Sequence, residues 1–373
     1  MTDTLAELSA AGVSIWLDDM SRERLVTGNL AGLIRDRHVV GVTTNPTIFQ
    51  NAITHGTAYD EQIRQLAARG ASVSEAVREL TTDDVRDACD LFRETWERTG
   101  HVDGRVSIEV DPRLAKDTDR TVAEAVDLWK AVDRPNLMVK IPATVEGLPA
   151  ITRSMAEGVD INVTLIFSVE RYRGVMAAYL EGLRRARANG HNLAGIHSVA
   201  SFFVSRVDTE VDKRLDALGT PEALALRGKA AIANARLAYS TFQETFEGPD
   251  WLPLAKDGAR PQRPLWASTG TKDESYSDTR YIDQLVVRDV VNTMPEKTME
   301  AFAEHGVLQG DTVSGRGEQA AETLELINGV GVDIDDVYRT LEEEGVAKFD
   351  TAWADVLSSV EGQLAKAKGA TLS

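Results

Sequence analysis

The chain has 373 residues, of which 43% are hydrophobic and 27% charged, and its net charge is −18. So acidic a chain argues against nucleic acid as a partner, because nucleic-acid phosphates are bound by basic surfaces. Its one cysteine, Cys89, excludes a disulfide within the chain and a multi-cysteine metal site. No run approaches the roughly 18 apolar residues of a membrane span. We therefore expect a cytoplasmic protein that needs no metal and does not bind membranes.

Short apolar runs rich in β-branched residues recur along the chain and predict eight strands. Most of these runs are continuously apolar rather than alternating with polar residues. That pattern is typical of parallel strands covered on both faces. The runs span residues 13–19, 38–45, 105–111, 136–142, 161–168, 196–205, 263–269 and 284–291.

Longer segments with apolar residues at three- and four-residue steps separate these runs and predict helices. They include residues 57–70, 72–100, 119–132, 168–190 and 221–246. Strand–helix alternation at this count favours the α/β class and a (β/α)₈ TIM barrel over a doubly wound sheet.

We expect residues 1–373 to form a single barrel domain. The Pro- and Gly-rich segment 247–263 predicts an insertion or loop before the seventh strand. Residues 319–373 predict additional C-terminal helices, packed on the outside of the barrel or over its mouth.

Polar residues stand at the carboxyl ends of seven consecutive predicted strands, where (β/α)₈ enzymes carry their active sites. Taken singly, several of them have a structural explanation. Asp18 could cap a helix, Asn45 before a proline could form a turn, and Glu109 could pair with a barrel lysine. The full set comprises Asp18, Asp19, Thr43, Thr44, Asn45, Glu109, Asp111, Lys140, Asn162, Thr164, Ser201, Arg206, Ser268, Thr269 and Lys272.

Lys140 interrupts the apolar strand "NLMVKIPAT" (136–144) and is harder to explain as a structural residue. Lysine is rarely buried without a partner, although its stem could extend along the strand to the barrel mouth. A buried amine loses affinity for its proton and can attack a carbonyl to form a Schiff base. Such chemistry also needs groups that move protons, and Asp18 and Glu109 are the candidates.

Two cations follow the sixth and seventh predicted strands, where barrel enzymes often hold a phosphate. Arg206 lies on the helix after strand six, and Lys272 follows strand seven. An arginine can bind a phosphate through two hydrogen bonds. Both residues could equally be members of surface ion pairs, which are common in a chain with 41 Lys and Arg residues.

Six motifs, in order along the chain, resemble those of the transaldolase family. They are "GVTTNPTIF" (41–49), "VSIEVDPRLA" (106–115), "NLMVKIPATVEGLPAI" (136–151), "GVDINVTLIFS" (158–168), "SFFVSR" (201–206) and "VVNTMPEKTMEAF" (290–302). The resemblance implies a cofactor-free (β/α)₈ enzyme of the non-oxidative pentose phosphate pathway. Its members transfer a dihydroxyacetone unit from sedoheptulose 7-phosphate or fructose 6-phosphate to glyceraldehyde 3-phosphate or erythrose 4-phosphate.

The resemblance also implies a role for individual residues of this chain. Lys140 matches the Schiff-base lysine, and Asp18 matches the acid/base at the C4 hydroxyl of the substrate. Glu109 and Thr164 match the pair that positions a water for imine formation and hydrolysis. The remaining matches are substrate ligands: Thr43, Asn45 and Asn162 for the dihydroxyacetone hydroxyls, and Ser201 and Arg206 for the phosphate.

The chain departs from the family pattern in two places. Lys272 stands where shorter family members carry an arginine, and the Asp18–Asp19 doublet leaves open which carboxylate points inward, since side-chain alternation sends only one of them to the barrel axis. Two alternatives to the transferase stay open. One is a metal-independent aldolase of the same chemistry that releases dihydroxyacetone, and the other is a barrel that serves as a binding scaffold without catalysis. The sequence does not decide between a homodimer and a monomer.

Overall fold

Eight parallel strands close into a barrel in the part of the chain that the structure describes. The structure, a computed structural model, covers residues 3–44, 46–55 and 57–371. The strands follow one another around the barrel in sequence order, which confirms the predicted (β/α)₈ architecture. They are β1 Val13–Leu17, β2 Val39–Val42, β3 Arg105–Glu109, β4 Leu137–Pro142, β5 Ile161–Ile166, β6 Ser198–Phe203, β7 Arg263–Ala267 and β8 Val290–Met294.

The first seven predicted strands each contain a barrel strand, but the predicted eighth strand, 284–291, was wrong. The observed β8 begins at Val290, near the end of the predicted run. The apolar residues before it are buried outside the barrel, where the backbone N–H of Val286 donates to Thr312 Oγ1 at 3.0 Å. Asp289, with φ of 62°, then turns the chain into β8. The apolar run 284–291 therefore indicated buried residues but did not locate the strand.

The helices on the outside of the barrel agree with the predicted segments, with two subdivisions. Segment 72–100 forms two helices, and segment 221–246 is divided by a turn at Gly228, whose φ is 67°. The helices are α1 Thr4–Ala10, α2 Arg22–Val26, α3 Asn29–Asp36, α4 Pro46–His55, α5 Asp60–Ala68, α6 Val73–Leu91, α7 Arg93–Arg98, α8 Thr118–Val132, α9 Gly147–Ala156, α10 Val169–Ala188, α11 Ser205–Leu218, α12 Pro221–Leu224, α13 Ala230–Glu247, α14 Leu252–Lys256, α15 Arg280–Asp283, α16 Glu296–His305, α17 Gly317–Gly329 and α18 Ile334–Thr371. Two short 3₁₀ helices, Pro112–Leu114 and Leu193–Gly195, complete the set.

The segment 247–263 includes the short helix α14, in which Leu254 is buried and before which Trp251 is buried. The helix α17 packs against α13 on the outside of the barrel. The long helix α18 takes a different course and crosses the carboxyl ends of the strands, contacting α11, β5 and the 3₁₀ helix Pro112–Leu114 before it reaches α4, α5 and α6. This course places α18 over the barrel mouth.

Two groups of buried apolar side chains hold these elements together. The larger contains the barrel strands and their surrounding helices. The smaller joins α4, α5 and α6 to the second half of α18 through side chains that include Phe49, Ile53, Val356 and Val360. Each fully buried side chain of this kind contributes roughly 1.5–3 kcal/mol, so the packing of α18 is an integral part of the fold. No helix among the described residues is long and apolar enough to cross a membrane.

Candidate active site

Lys140 lies in the middle of β4 and points into the barrel mouth, with 6% of its surface exposed. Its neighbours Val139 and Ile141 are fully buried, as expected when side chains alternate across a strand. The ammonium has polar partners: Nζ lies 2.7 Å from Glu109 Oε1 and donates to the carbonyl oxygen of Thr44 at 3.0 Å. The buried lysine is therefore ion-paired, and the apolar surroundings expected from the sequence describe only part of its environment.

The strand register places Lys140 beside two other residues that the sequence analysis selected. Lys140 is paired with Glu109 of β3 on one side and with Asn162 of β5 on the other. Thr164 lies two residues further along β5, opposite Pro142. Residues paired in the register of neighbouring parallel strands lie at the same height in the barrel. These side chains are therefore close together.

Glu109 and Thr164 border a small compartment beside Lys140, with a volume of about 10 Å³. Burial raises the pKa of the Glu109 carboxyl, while the ammonium of Lys140 opposes that shift. Within the described chain, neither Glu109 Oε2 nor Thr164 Oγ1 has a hydrogen-bond partner. A compartment of this size holds about one water molecule, and the two free oxygens are suited to bind it.

Asp18 follows β1 at the barrel mouth, and its Oδ1 accepts a hydrogen bond of 2.9 Å from the Thr43 hydroxyl. Burial raises the pKa of Asp18, and the charges of Lys140 and Arg206 and the Thr43 hydrogen bond act against this rise. A carboxyl with a raised pKa can both accept and return a proton. The neighbouring Asp19 instead pairs with Arg24 on α2, so Asp18 is the member of the doublet that faces the lysine.

A chain of hydrogen bonds links the buried side chains of β3, β5 and β6. Ser201 Oγ donates to Asn162 Oδ1 at 2.7 Å, and Asn162 Nδ2 donates to Ser107 Oγ at 3.0 Å. These bonds fix the orientation of the Asn162 amide at the bottom of the site. Asn45, which the sequence analysis also selected, lies outside the described residues.

Arg206 and Lys272 both line the main cavity above the lysine, which has a volume of about 750 Å³. The guanidinium of Arg206 is half-buried and lies 5.1 Å from the centre of the Phe203 ring. Lys272 is exposed at the rim. Among the described residues neither side chain forms a salt bridge, although 59 carboxylates are available in the chain. Two cations that form no salt bridge in the described part of the chain and face one cavity are suited to bind an anionic ligand.

The contribution of α18 to this cavity was not predicted from the sequence. Phe349 of α18 lies above the lysine, with its ring centre 6.0 Å from Lys140 Nζ. No motif in the sequence assigns α18 to a strand end, because its position depends on packing against distant helices. The helix contributes Glu344, Lys348, Phe349, Ala352 and Asp355 to the cavity wall.

Thr293 also lines the cavity, and its hydroxyl lies 3.0 Å from that of Thr43. Thr293 was not among the predicted site residues because the predicted eighth strand ended at residue 291. A correct placement of β8 would have put this hydroxyl at a strand end beside Asp18. The error in β8 therefore carried over into the list of candidate site residues.

Comparison with known proteins gives one consistent result along nearly the whole chain. A sequence profile described as Transaldolase/Fructose-6-phosphate aldolase matches residues 15–360. The chain is 61% identical over 364 residues to the transaldolase of Mycolicibacterium smegmatis and 64% identical over 365 residues to that of Saccharopolyspora erythraea, with 98% of both partners covered in each case. It is 60% identical over 361 residues to the transaldolase of Mycobacterium tuberculosis, which covers 96% of this chain and 97% of the relative. The protein thus belongs to the transaldolase/fructose-6-phosphate aldolase family.

Proposed function

We propose that this protein is a transaldolase that acts through a Schiff base on Lys140. It transfers a dihydroxyacetone unit from sedoheptulose 7-phosphate or fructose 6-phosphate to glyceraldehyde 3-phosphate or erythrose 4-phosphate. The observation that carries the proposal is the 2.7 Å contact between Lys140 Nζ and Glu109 in a site that Asp18 and Arg206 also border. A nucleophilic amine, two proton carriers and an anion ligand are the groups that this reaction requires.

Imine formation begins when Glu109 takes a proton from the Lys140 ammonium. The free amine then attacks the C2 carbonyl of the ketose phosphate, and the carbonyl oxygen leaves as water. The raised pKa of Glu109 suits it to hold the proton in the meantime. Glu109 and Thr164 would bind the departing water in the compartment that they border.

Carbon–carbon cleavage follows at Asp18, on the other side of the lysine. Asp18 takes the proton of the C4 hydroxyl, the C3–C4 bond breaks, and its electron pair moves into the iminium. The first aldose phosphate leaves, and an acceptor aldehyde then adds to C3 by the reverse steps. Thr43 supports the base form of Asp18, since its hydroxyl donates to that carboxylate.

The remaining site residues would hold the substrate in place. Arg206 and Lys272 are suited to the phosphate, with Ser201 as a further ligand below them. Thr43 and Asn162 would bind the hydroxyls of the dihydroxyacetone unit, as would Asn45. An arginine binds a phosphate through both its charge and the fixed geometry of its hydrogen bonds. Arg206 is therefore the main phosphate ligand in this proposal.

Borohydride reduction in the presence of fructose 6-phosphate tests this proposal. We expect an irreversible mass increase of one dihydroxyacetone unit in the wild-type protein and none in Lys140→Ala. Absence of the increase, or its persistence in Lys140→Ala, would defeat the Schiff-base mechanism and favour the non-catalytic scaffold. Fast release of free dihydroxyacetone without erythrose 4-phosphate would favour the aldolase instead.

We further propose that the protein acts in the cytoplasm, in the non-oxidative pentose phosphate pathway, as a single domain over residues 1–373 and without a cofactor. The family resemblance of the motifs supports each of these points. A homodimer and a monomer are both compatible with the proposal, and light scattering would distinguish them.

A further inference from the structure

The small compartment beside Lys140 is covered by two residues of α18. Val346 and Phe349 close it on the side away from the strands, and Glu109 and Thr164 form the polar part of its wall. Phe349 also borders the main cavity. Phe349, together with Lys140 and Thr164, thus stands between the small compartment and the space that would hold the substrate.

The packing of α18 against the barrel keeps this cover in place. A Cβ at Gly345 would lie 3.0 Å from Leu165 Cδ2, so the absence of a side chain allows α18 to approach β5 closely. Leu165 directly follows Thr164 and has φ of 59°, a left-handed conformation that is costly for a branched side chain. Ion pairs outside the site fix the same part of the helix: Glu342 with Arg171 at 3.1 Å, and Asp336 with Arg214 at 2.7 Å.

A transferase of the proposed kind must protect its intermediate from water. After the first aldose phosphate leaves, dihydroxyacetone remains on Lys140 as a carbanion at C3. Release requires that C3 takes a proton from water or a nearby acid, and that a water then adds to C2 of the C=N bond. The C2–N bond breaks, Lys140 leaves as the amine, and free dihydroxyacetone departs, so the water lost on imine formation is regained. Transfer instead requires that an aldehyde reaches C3 before a proton does.

We propose that Phe349 favours transfer over release. By covering the Schiff-base intermediate on Lys140, its ring makes transfer to an acceptor faster than release of dihydroxyacetone. This inference rests on the proposed function. The ring centre lies 6.0 Å from Lys140 Nζ. The compartment beside Lys140 has space for about one water, and one water is enough for imine formation and hydrolysis at Glu109. Removing the ring would widen the connection between that space and the 750 Å³ cavity, which opens to solvent. Water exclusion is a recognised means of preventing hydrolysis of reactive intermediates.

The alternative is that Phe349 serves only to pack α18 onto the barrel. It does contact the main hydrophobic core, but it is itself only partly buried. A packing role predicts that its loss lowers stability and leaves the ratio of release to transfer unchanged. The ratio therefore distinguishes the two roles.

The test measures two rates with fructose 6-phosphate as donor: formation of free dihydroxyacetone without acceptor, and transfer to erythrose 4-phosphate. For Phe349→Ala we expect the ratio of release to transfer to rise about tenfold or more, because bulk water reaches the intermediate. Phe349→Leu, which retains an apolar cover, should stay within about threefold of wild type. Val360→Ala is the matched control, since Val360 is fully buried on the same helix but lies in the second apolar cluster, outside both cavities.

An unchanged ratio of release to transfer in Phe349→Ala would overturn the inference. An equal rise of this ratio in Val360→Ala would also overturn it, because the effect would then result from loosening of α18. Should Phe349→Ala not fold, Phe349→Val takes its place, and the ratio of release to transfer should rise from wild type through Phe349→Leu to Phe349→Val as the side chain becomes smaller. Borohydride trapping on the wild-type protein separates this result from the proposed function. With no trapped adduct the proposed function itself fails, whereas a trapped adduct and an unchanged ratio refute only the role of Phe349.

Discussion

Replacing Arg206 by alanine should weaken binding of phosphorylated sugars selectively. The guanidinium is half-buried against Phe203, lines the cavity above Lys140 and forms no salt bridge among the described residues. Its hydrogen-bonding capacity is therefore available to a ligand. Lys272 is the other cation of this pair, but it is exposed, and water competes for its charge.

The size of the effect follows from the kind of bond that is lost. A hydrogen bond to a charged group contributes about 1.5–3 kcal/mol, and a paired arginine–phosphate contact falls at the upper part of that range. A loss of about 2–3 kcal/mol corresponds to roughly a 30- to 150-fold fall in kcat/KM. Because the phosphate lies away from the reacting carbons, we expect the fall to appear chiefly as a rise in KM.

Steady-state kinetics with fructose 6-phosphate and with unphosphorylated fructose check this reasoning. Arg206→Ala should lose kcat/KM for the phosphorylated donor and leave that for fructose nearly unchanged. Arg153→Ala is the control, because Arg153 forms an exposed pair with Asp119 far from the cavity. An unchanged KM for fructose 6-phosphate, or an equal loss with fructose, would refute the assignment of Arg206 to the phosphate.

Three further predictions concern the lysine, the acid/base and the barrel interior. Lys140→Ala should lower transfer by several orders of magnitude because it removes the nucleophile, and retention of more than about a tenth of the wild-type rate would contradict that role. Thr43→Val should move the acid limb of the kcat–pH profile to higher pH. The Thr43 hydrogen bond lowers the pKa of Asp18, so without this bond the base form of Asp18 is populated only at higher pH. If the acid limb does not move, it reports the titration of another group. Arg105→Leu should lower the free energy of unfolding by about 3–5 kcal/mol above pH 6, because it leaves Asp160, now 2.6 Å away, unpaired in the interior. Burial raises the pKa of Asp160 from 3.8 to about 6, and loss of the opposing Arg105 charge raises it further, so the loss in urea unfolding should grow as the pH rises above about 6, where only the wild-type carboxyl is ionised. An equal loss at pH values of about 5 and about 8 would contradict the account.

The strand patterns were sufficient to predict the barrel and the level at which Lys140, Glu109 and Asn162 meet. In a parallel barrel, the position of a residue within its strand also fixes its height. The same reasoning was wrong for β8, where Val286 and its neighbours are as apolar as a strand but bond to Thr312 instead. An apolar run reports burial, and only the backbone partners decide whether it is a strand.

Two other features of the site could not be predicted, because they depend on contacts between distant parts of the chain. One is the direction of the two carboxylates of the Asp18–Asp19 doublet. Arg24 binds Asp19, which leaves Asp18 to face the lysine. The position of Phe349 over Lys140 depends on how α18 packs against α4, α5 and α6. Helical periodicity indicates which face of α18 is apolar, but it does not indicate which surface that face covers.

The position of α18 after all eight strands has a consequence for the order of events during synthesis. Asp18, Glu109 and Lys140 all leave the ribosome before the helix that covers them, and chains generally begin to fold from the N-terminal side. A newly formed barrel would thus hold its lysine, acid and base in an open mouth until α18 docks. We therefore expect nascent chains stalled before Ile334 to expose Lys140 to small carbonyl compounds, and the finished protein to admit only those that fit beneath the helix.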